Sequence, residues 1–480
     1  MILRTSGLRE ESRTTFFCNC SRPDIDCAFL QMINTLFLPE LREMLATSDE
    51  RELSEFCTAL HPARTAEFME GLEGDEAWRV LQYAEPPLQA EIFQYFELDR
   101  KHELLQTQDE VQVAALVTCL PADDVVDLFQ ELNTTRVDQI LALVPAPDRR
   151  DIRRLQTFPE GTAGALMTTE AACLSENLTV QQAMDQLSKQ AARLETIYYI
   201  YVIDTTNHLR GIVSARSLVS SIGRPETRLA DLMKTDIVTV NVQDDQEQVA
   251  ERVAFYNLSA IPVVDDERHL VGIITHDDII DVVRREATED VQRMAGVEPL
   301  SDSYMRTGLL TLTWKRGIWL TILLFAALLA ALALQFYQVE IARFEWLVWF
   351  LPLIISSGGN SGSQSSTLII SALATRDVST NDAMVILRRE FLTGLLLGAF
   401  LGVIGFCSAL VLAPSAGAAL VIPITILIVV ACGTSLGSML PLILKNFGLD
   451  PALMSSPLIA GISDILGIVI YLNVALLLLR

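Results

Sequence analysis

Asp464 stands in PLIAGISDILGIVIYL, mid-way along an apolar run that carries no Lys or Arg until Arg480. A carboxylate at the centre of a membrane helix costs about 2.5–3.5 kcal/mol, so such a residue turns to a cavity or a partner. Two readings follow: a hydrogen bond to Ser or Thr of a neighbouring helix, or a cation site. The second run with chemistry in it is GGNSGSQSS, Gly358–Ser366, lodged between WLVWFLPLIIS and TLIISALA. Such a run is expected to break a membrane helix, and irregular backbone at membrane depth survives only where protein covers it or where it lines a water-filled cavity. The expectation is a pore lined by Gly358, Gly359, Asn360, Gly362 and Gln364. Asn360, Ser361, Ser363 and Gln364 would add only oxygens and amides to Asp464. With no His or Cys paired to it, the site disfavours zinc or copper and suits hard cations such as magnesium or calcium.

A second concentration of carboxylates lies in HDDIIDVVRREATEDVQRMAGV, from His276 to Val297. Ile279, Ile280, Val283, Val291 and Met294 give it a helical apolar spacing. Its acids are Asp277, Asp278, Asp281, Glu286, Glu289 and Asp290, either a solvated face with Arg284 and Arg285 as helix partners or a group that acts together. A third set is in PADDVVDLFQEL, where Val125, Leu128 and Phe129 share one helix face and Asp123, Asp124 and Asp127 another.

The elements that must position these groups fall into two halves. Of the 480 residues 50% are hydrophobic, and the long apolar runs begin after Arg316. Five spans are drawn, about 317–337, 345–373, 391–413, 419–443 and 455–479, each long enough for the roughly 30 Å hydrocarbon layer. An odd count puts the termini on opposite sides. Arg306, Lys315, Arg316, Arg376, Arg388, Arg389 and Lys445 fall on one side, against Arg343 and Arg480 on the other, so the soluble half is cytoplasmic and the protein a multi-pass resident of the cell (inner) membrane. Gly394, Gly398 and Gly402, four apart, form a stripe for close helix packing.

Lys315–Arg480 holds eight basic and seven acidic side chains, so essentially the whole formal charge of −24 belongs to the front half. That excludes nucleic acid as a partner and suits either cation binding or solubility. Cys57, Cys119, Cys173, Cys407 and Cys432 are scattered, which fits a reducing compartment. Cys18, Cys20 and Cys27 cluster without a nearby histidine and make a poor zinc site. Residues 1–27 are expected to be a disordered extension, with no signal-peptide pattern.

Residues 28–155 read as stacked short helices, four of them opened by Pro62, Pro87, Pro121 and Pro147. Residues 160–286 contain a duplication, 167–222 and 229–286. YVIDTTNHLRGIVSARSLV is answered by PVVDDERHLVGIITHDDII, and Asp204 to Gly211 has the spacing of Asp265 to Gly272. Each copy reads as strand, helix, strand, turn, strand, helix and resembles a CBS domain, a module that works in pairs and often senses nucleotides or ions. Adenosine binding in such modules commonly uses an acid six residues after the turn glycine. That position is Asp278 in the second copy and Ser217 in the first, so an adenine nucleotide is expected at the second copy at most.

Taken together, the helical repeats, the paired copies, EATEDVQRMAGV, PLIISSGGNSGSQSSTLII and DPALMSSPLIAGISD resemble the MgtE family of magnesium channels over about residues 28–480. The expected fold is multidomain: a cytoplasmic α-helical superhelical domain, an α+β tandem CBS pair, a connecting plug helix and linker over 278–316, and a five-helix all-α transmembrane domain over 317–480. The resemblance implies a homodimer in membrane lipid, passing Mg2+ through one pore, with Asp464 and the main-chain oxygen of Ala460 as ligands. It further implies a gate, closed when magnesium bridges Asp278, Asp281, Glu286, Glu289 and Asp290 of the plug to Glu91, Asp123, Asp124 and Asp127 of the helical domain. Ser371 and Gly461 depart from the family pattern, which often has Arg and Thr there. Two other readings stand beside gated magnesium entry. One is a broader divalent pathway for Co2+, Mn2+ or Ca2+. The other is a membrane enzyme or receptor, disfavoured by the lack of a nucleophile–base pair, of span histidines and of a phosphate-binding loop.

Overall fold

A computed structural model describes residues 37–480 except 131, 192, 193, 301–303, 306, 454, 455 and 480. The expected extension 1–27, with Cys18, Cys20 and Cys27, lies outside the described residues. The chain divides into two compact units: residues up to 245 with 259–275, and residues 246–258 with 276–480.

The first unit begins with ten short helices among the described residues, α1 (Leu38–Thr47) to α10 (Ala146–Leu155). Their starts are written locally. Pro62 is the first residue of α3 (Pro62–Met69), Pro86 and Pro87 open α5 (Pro86–Gln94), and Pro147 is second in α10. Pro121 immediately precedes α8 (Ala122–Gln130), its carbonyl taking the first helical bond from Val125 at 3.1 Å. Proline has no N–H to waste at a first turn. Elsewhere Asp49, Asp109 and Asn133 cap by accepting from backbone N–H groups one turn in. Alternate helices pack on one another, α3 on α5 and α5 on α7 (Glu110–Val117). Arginines tie the layers: Arg79 donates to the carbonyl of Leu45 and Arg136 to that of Leu105. This is the expected superhelical stack.

After α11 (Ala163–Leu166), the first copy of the duplication gives β1 (Ala171–Ser175), α12 (Val180–Gln190), β2 (Thr196–Ile203), β3 (Leu209–Ser214) and α13 (Ala215–Ser220). The second gives α14 (Leu229–Leu232), β4 (Val240–Asn241), α15 (Gln246–Tyr256), β5 (Ala260–Val264), β6 (Leu270–Thr275) and α16 (His276–Met294). Each sheet has one parallel and one antiparallel pair, in the orders β1-β2-β3 and β4-β5-β6. Val202 pairs with Gly211 as Val263 pairs with Gly272. Both turn glycines are required by close approach. A Cβ on Gly211 would lie 2.6 Å from Met233 Sδ, and one on Gly272 2.5 Å from the carbonyl of Thr168. The leading segments cross over: Thr168, at the start of the first copy, pairs with Ile273 of the second, whereas Lys234, near the start of the second, pairs with Ile212 of the first. The two copies also meet at His208 and His269, which form an antiparallel bridge with ring centroids 4.3 Å apart.

The second unit contains α17 (Leu309–Phe336), α18 (Gln338–Arg343), α19 (Leu351–Ala374), α20 (Ala383–Leu412), α21 (Ala416–Ala419), α22 (Val421–Asn446) and α23 (Ser456–Leu478). Among the described residues four segments are long and apolar enough to cross a membrane, against the five spans drawn: Leu309–Phe336, Thr380–Leu412, Ala416–Asn446 and Ser456–Leu478. α19 has the length but is made too polar by GGNSGSQSS to join that set. Its first drawn residues, Glu345–Phe350, form a separate tight turn.

The expected break does not occur, since α19 runs without interruption through Gly358–Ser366. The glycines serve a different need. α19 crosses α22 so closely that a Cβ on Gly433 would lie 2.6 Å from the carbonyl oxygen of Gly358, and one on Gly437 would collide with that of Gly362. The backbone hydrogen bonds stay within the helix, which is how a spanning segment satisfies itself. Helices in lipid gain from packing more than from apolarity, so small residues mark the crossing. The stripe Gly394, Gly398 and Gly402 does the same for α20, where a Cβ on Gly398 would meet Leu427 Cα at 2.8 Å.

Candidate cation pathway and its acids

Asp464 lies on the third turn of α23, half-buried, and faces α17. A cavity of about 250 Å³ opens there, lined by Ala326, Ala327 and Ala330 of α17 and by Ala460, Gly461 and Asp464 of α23. Alanines on one wall and Gly461 on the other make the space: a Cβ on Gly461 would meet that of Ala326 at 3.3 Å. Among the described residues the Asp464 carboxylate makes no hydrogen bond or ion pair. The expected main-chain partner, Ala460, is one helical turn earlier and lines the same cavity.

The residues of the glycine-rich run divide by helix face. Gly359 abuts α23, where a Cβ would stand 3.3 Å from Ala460 Cβ and 3.4 Å from Asp464 Oδ1. Gly358 and Gly362 are buried, a Cβ on the first meeting Val429 and on the second Ile459. Asn360 and Gln364 are on the exposed face, Asn360 donating to Ser356 Oγ at 3.1 Å. Ser363 donates to the carbonyl of Ser456 at 2.9 Å and so ties α19 to the start of α23. Of the glycines in the run, Gly359 is the one that abuts the aspartate. Ser371 is exposed.

The acids expected to act as a sensor occupy two sets. In the first unit Glu91 is exposed on α5 and Asp123, Asp124 and Asp127 sit on α8. Gln94 of α5 donates to Asp124 Oδ2 at 2.6 Å, which makes the two helices neighbours. In the second unit Asp278, Asp281, Glu286, Glu289 and Asp290 all ride on α16. Glu286 accepts from Gln246 of α15 at 2.6 Å. Burial raises the Asp290 carboxyl above its ordinary range, helped by the charges of Asp450 and Glu286. Asp281 is exposed and pairs loosely with Arg284 at 3.6 Å. Ser217, the residue in place of the nucleotide-binding acid, is held by Ser214 at 2.8 Å, while Asp278 is half-buried.

Three residues escaped the sequence reading. Arg293 bridges Glu289 on its own helix and Asp450 in the turn before α23, so α16 is pinned to the segment that leads into the Asp464 helix. Its signal was the i,i+4 spacing from Glu289. Arg376, after α19, pairs with Glu251 of α15. Glu390 of α20 accepts from Ser365 of α19 at 2.6 Å. It lies one residue before the third drawn span and so was counted outside it.

Residues 351–474 match a family described as divalent cation transporter, residues 60–161 the MgtE intracellular N domain, and residues 163–224 and 229–285 the CBS domain. The class is thereby defined: a multi-pass membrane transporter of divalent cations with an intracellular helical domain and a CBS pair. Magnesium transporter MgtE of Thermus thermophilus is 34% identical over 92% of this chain and 98% of its own length. The magnesium transporter MgtE of Enterococcus faecalis is 32% identical over 92% and 96%. The crystal structure of the soluble part of a magnesium transporter is 35% identical over 52% of this chain and 97% of its own, with a TM-score of 0.49. A crystal structure of the cytosolic domain of the Mg2+ channel MgtE in complex with ATP is 32% identical over 50% and 98%, with a TM-score of 0.47. The chain belongs to the MgtE family of magnesium transporters.

Proposed function

We propose that this protein conducts Mg2+ passively through a pathway centred on Asp464 and that cytosolic Mg2+ closes it. The observation that carries the reading is a membrane-helix carboxylate facing a cavity, with neither a basic side chain nor a hydrogen-bond donor satisfying it among the described residues. Mg2+ sheds water reluctantly and is commonly held by one or two carboxylates through its waters. Asp464 meets that need when two subunits each bring one, with Ala460 offering a carbonyl and Gly359 leaving room. The family also supplies the expectation of a homodimer.

For the gate, every donor in the two acid sets is oxygen, which fits a hard cation. Mg2+ bound between Glu91, Asp123, Asp124 or Asp127 and the α16 acids Asp278, Asp281, Glu286, Glu289 and Asp290 would cancel their repulsion. When cytosolic Mg2+ falls, the like charges separate. Arg293 transmits that movement to Asp450 and the start of α23. Asp278 also remains the candidate for an adenine nucleotide at the second CBS copy.

Flux into liposomes across an internal Mg2+ titration tests this. The protein should be active at low and silent at millimolar Mg2+, and D281N/E289Q/D290N should stay active throughout. Unchanged inhibition in that variant would overturn the gate. Equal transport of Co2+, Mn2+ or Ca2+ in competition would make the pathway a broader divalent one.

A further inference from the structure

A cavity of about 560 Å³ lies between α16 and the start of α17, lined by Arg284, Arg285, Thr288, Glu289 and Gln292 of the first helix and Lys315 of the second. Its floor is fixed by the chain. The Lys315 ammonium donates to the carbonyl of Pro299, Gln292 accepts from the backbone N–H of Leu300 at 2.8 Å, and Glu298 donates its N–H to the carbonyl of Lys315 at 3.4 Å. The charge balance is positive. Glu289, the one acid on the wall, is committed to Arg293. Arg284 has only the long, exposed contact to Asp281, of little worth in water, and Arg285 has no ion pair among the described residues. Nothing in the conduction pathway or in the acidic sensor uses these three cations.

The setting selects the ligand. Lys315 and Arg316 stand where the apolar part of α17 begins, and beside them Leu309, Leu310 and Trp314 are 82%, 88% and 71% exposed. An apolar surface of that kind, continuous with a cationic pocket, suits an amphiphile. We infer that the cavity binds the phosphodiester headgroup of an anionic phospholipid, whose acyl chains lie along the exposed face of α17. Arg284, Arg285 and Lys315 meet the phosphate, with Arg offering paired donors. Thr288 and Gln292 are placed to take the polar headgroup. Neutral phosphatidylcholine carries its own cation and does not neutralise the pocket. The site would thus read membrane charge on the same helix that carries the acids, although binding itself does not depend on the gate.

The test uses the full chain in phosphatidylcholine nanodiscs containing a minor fraction of spin-labelled phosphatidylglycerol. An immobilised phosphatidylglycerol fraction above that of labelled phosphatidylcholine is expected. Each basic residue removed should lower the preference about fivefold, the factor for one charge near an anionic surface. R284Q/R285Q, which gives up only the long, exposed Arg284–Asp281 contact, should therefore lose most of it, and R388Q, a basic change elsewhere on the cytoplasmic side, should not. No preference in the parent protein, retention in R284Q/R285Q, or an equal loss in R388Q would overturn the proposal. So would displacement of the lipid by inorganic phosphate at comparable concentration, which would make the pocket a free-anion site. Because the readout is lipid contact and not flux, it stands or falls apart from the gate.

Discussion

Gly433→Ala is the sharpest probe of the α19–α22 crossing. An added Cβ would lie 2.6 Å from the carbonyl oxygen of Gly358 and 2.9 Å from Ser361 Oγ, and real Cβ atoms do not approach within 3.0 Å. One contact is backbone and cannot rotate away, so the helices must separate by roughly 0.5 Å or bend. Overpacking of this kind costs about 1–3 kcal/mol. On the scale of a folded unit of this size that is a fall of roughly 2–10 °C in Tm. Thermal unfolding of the detergent-solubilised protein, followed by loss of the monodisperse peak, measures it. Asn360→Ala, on the exposed face of α19, should change stability by less than about 0.5 kcal/mol. Gly433→Ala with Gly437→Ala should be less than additive, because the first change already opens the crossing. If Gly433→Ala and Asn360→Ala melt together, α19 does not pack as a continuous helix and the case for it fails.

Two further outcomes follow from α16. Arg293→Gln and Asp450→Asn should couple by about 1–2 kcal/mol in a double-mutant cycle on Tm, less than a fully buried pair because both side chains are about 30% exposed; a coupling near zero would detach the helix from the α23 turn. The raised Asp290 carboxyl means the folded protein keeps that proton to higher pH than the unfolded chain, so this group's contribution to stability falls as pH rises through its folded pKa. Mg2+ binding near it must expel the proton, so calorimetry in buffers of different ionisation enthalpy should show proton release on the acid side that fades as pH rises and is absent in D290N; release independent of Asp290 would contradict the assignment.

Much of the fold was legible because its signals are local. Prolines marked four of the short helices, the doubled Asp204–Gly211 and Asp265–Gly272 spacing marked the paired copies, and length with apolarity marked α17, α20, α22 and α23. Gly358–Ser366 was misread for a physical reason. Glycine and serine signal both a break and a tight helix crossing, and only the partner surface, Gly433 and Gly437 on a helix some 75 residues away in sequence, tells which. Asp464 stood out because an isolated charge in an apolar run is costly wherever it sits. Arg293 and Glu390 did not, because their partners Asp450 and Ser365 are distant in sequence and each looked like an ordinary charge near a helix end.

The central claim is that Asp464 holds the permeating ion. Mg2+ entry into liposomes containing Asp464→Asn protein, at low internal Mg2+ and with folding verified by an unchanged Tm, is the measurement that bears on it most directly. Loss of at least tenfold in flux is expected, since the amide keeps the shape and removes the charge. Flux equal to that of the parent protein would contradict the account.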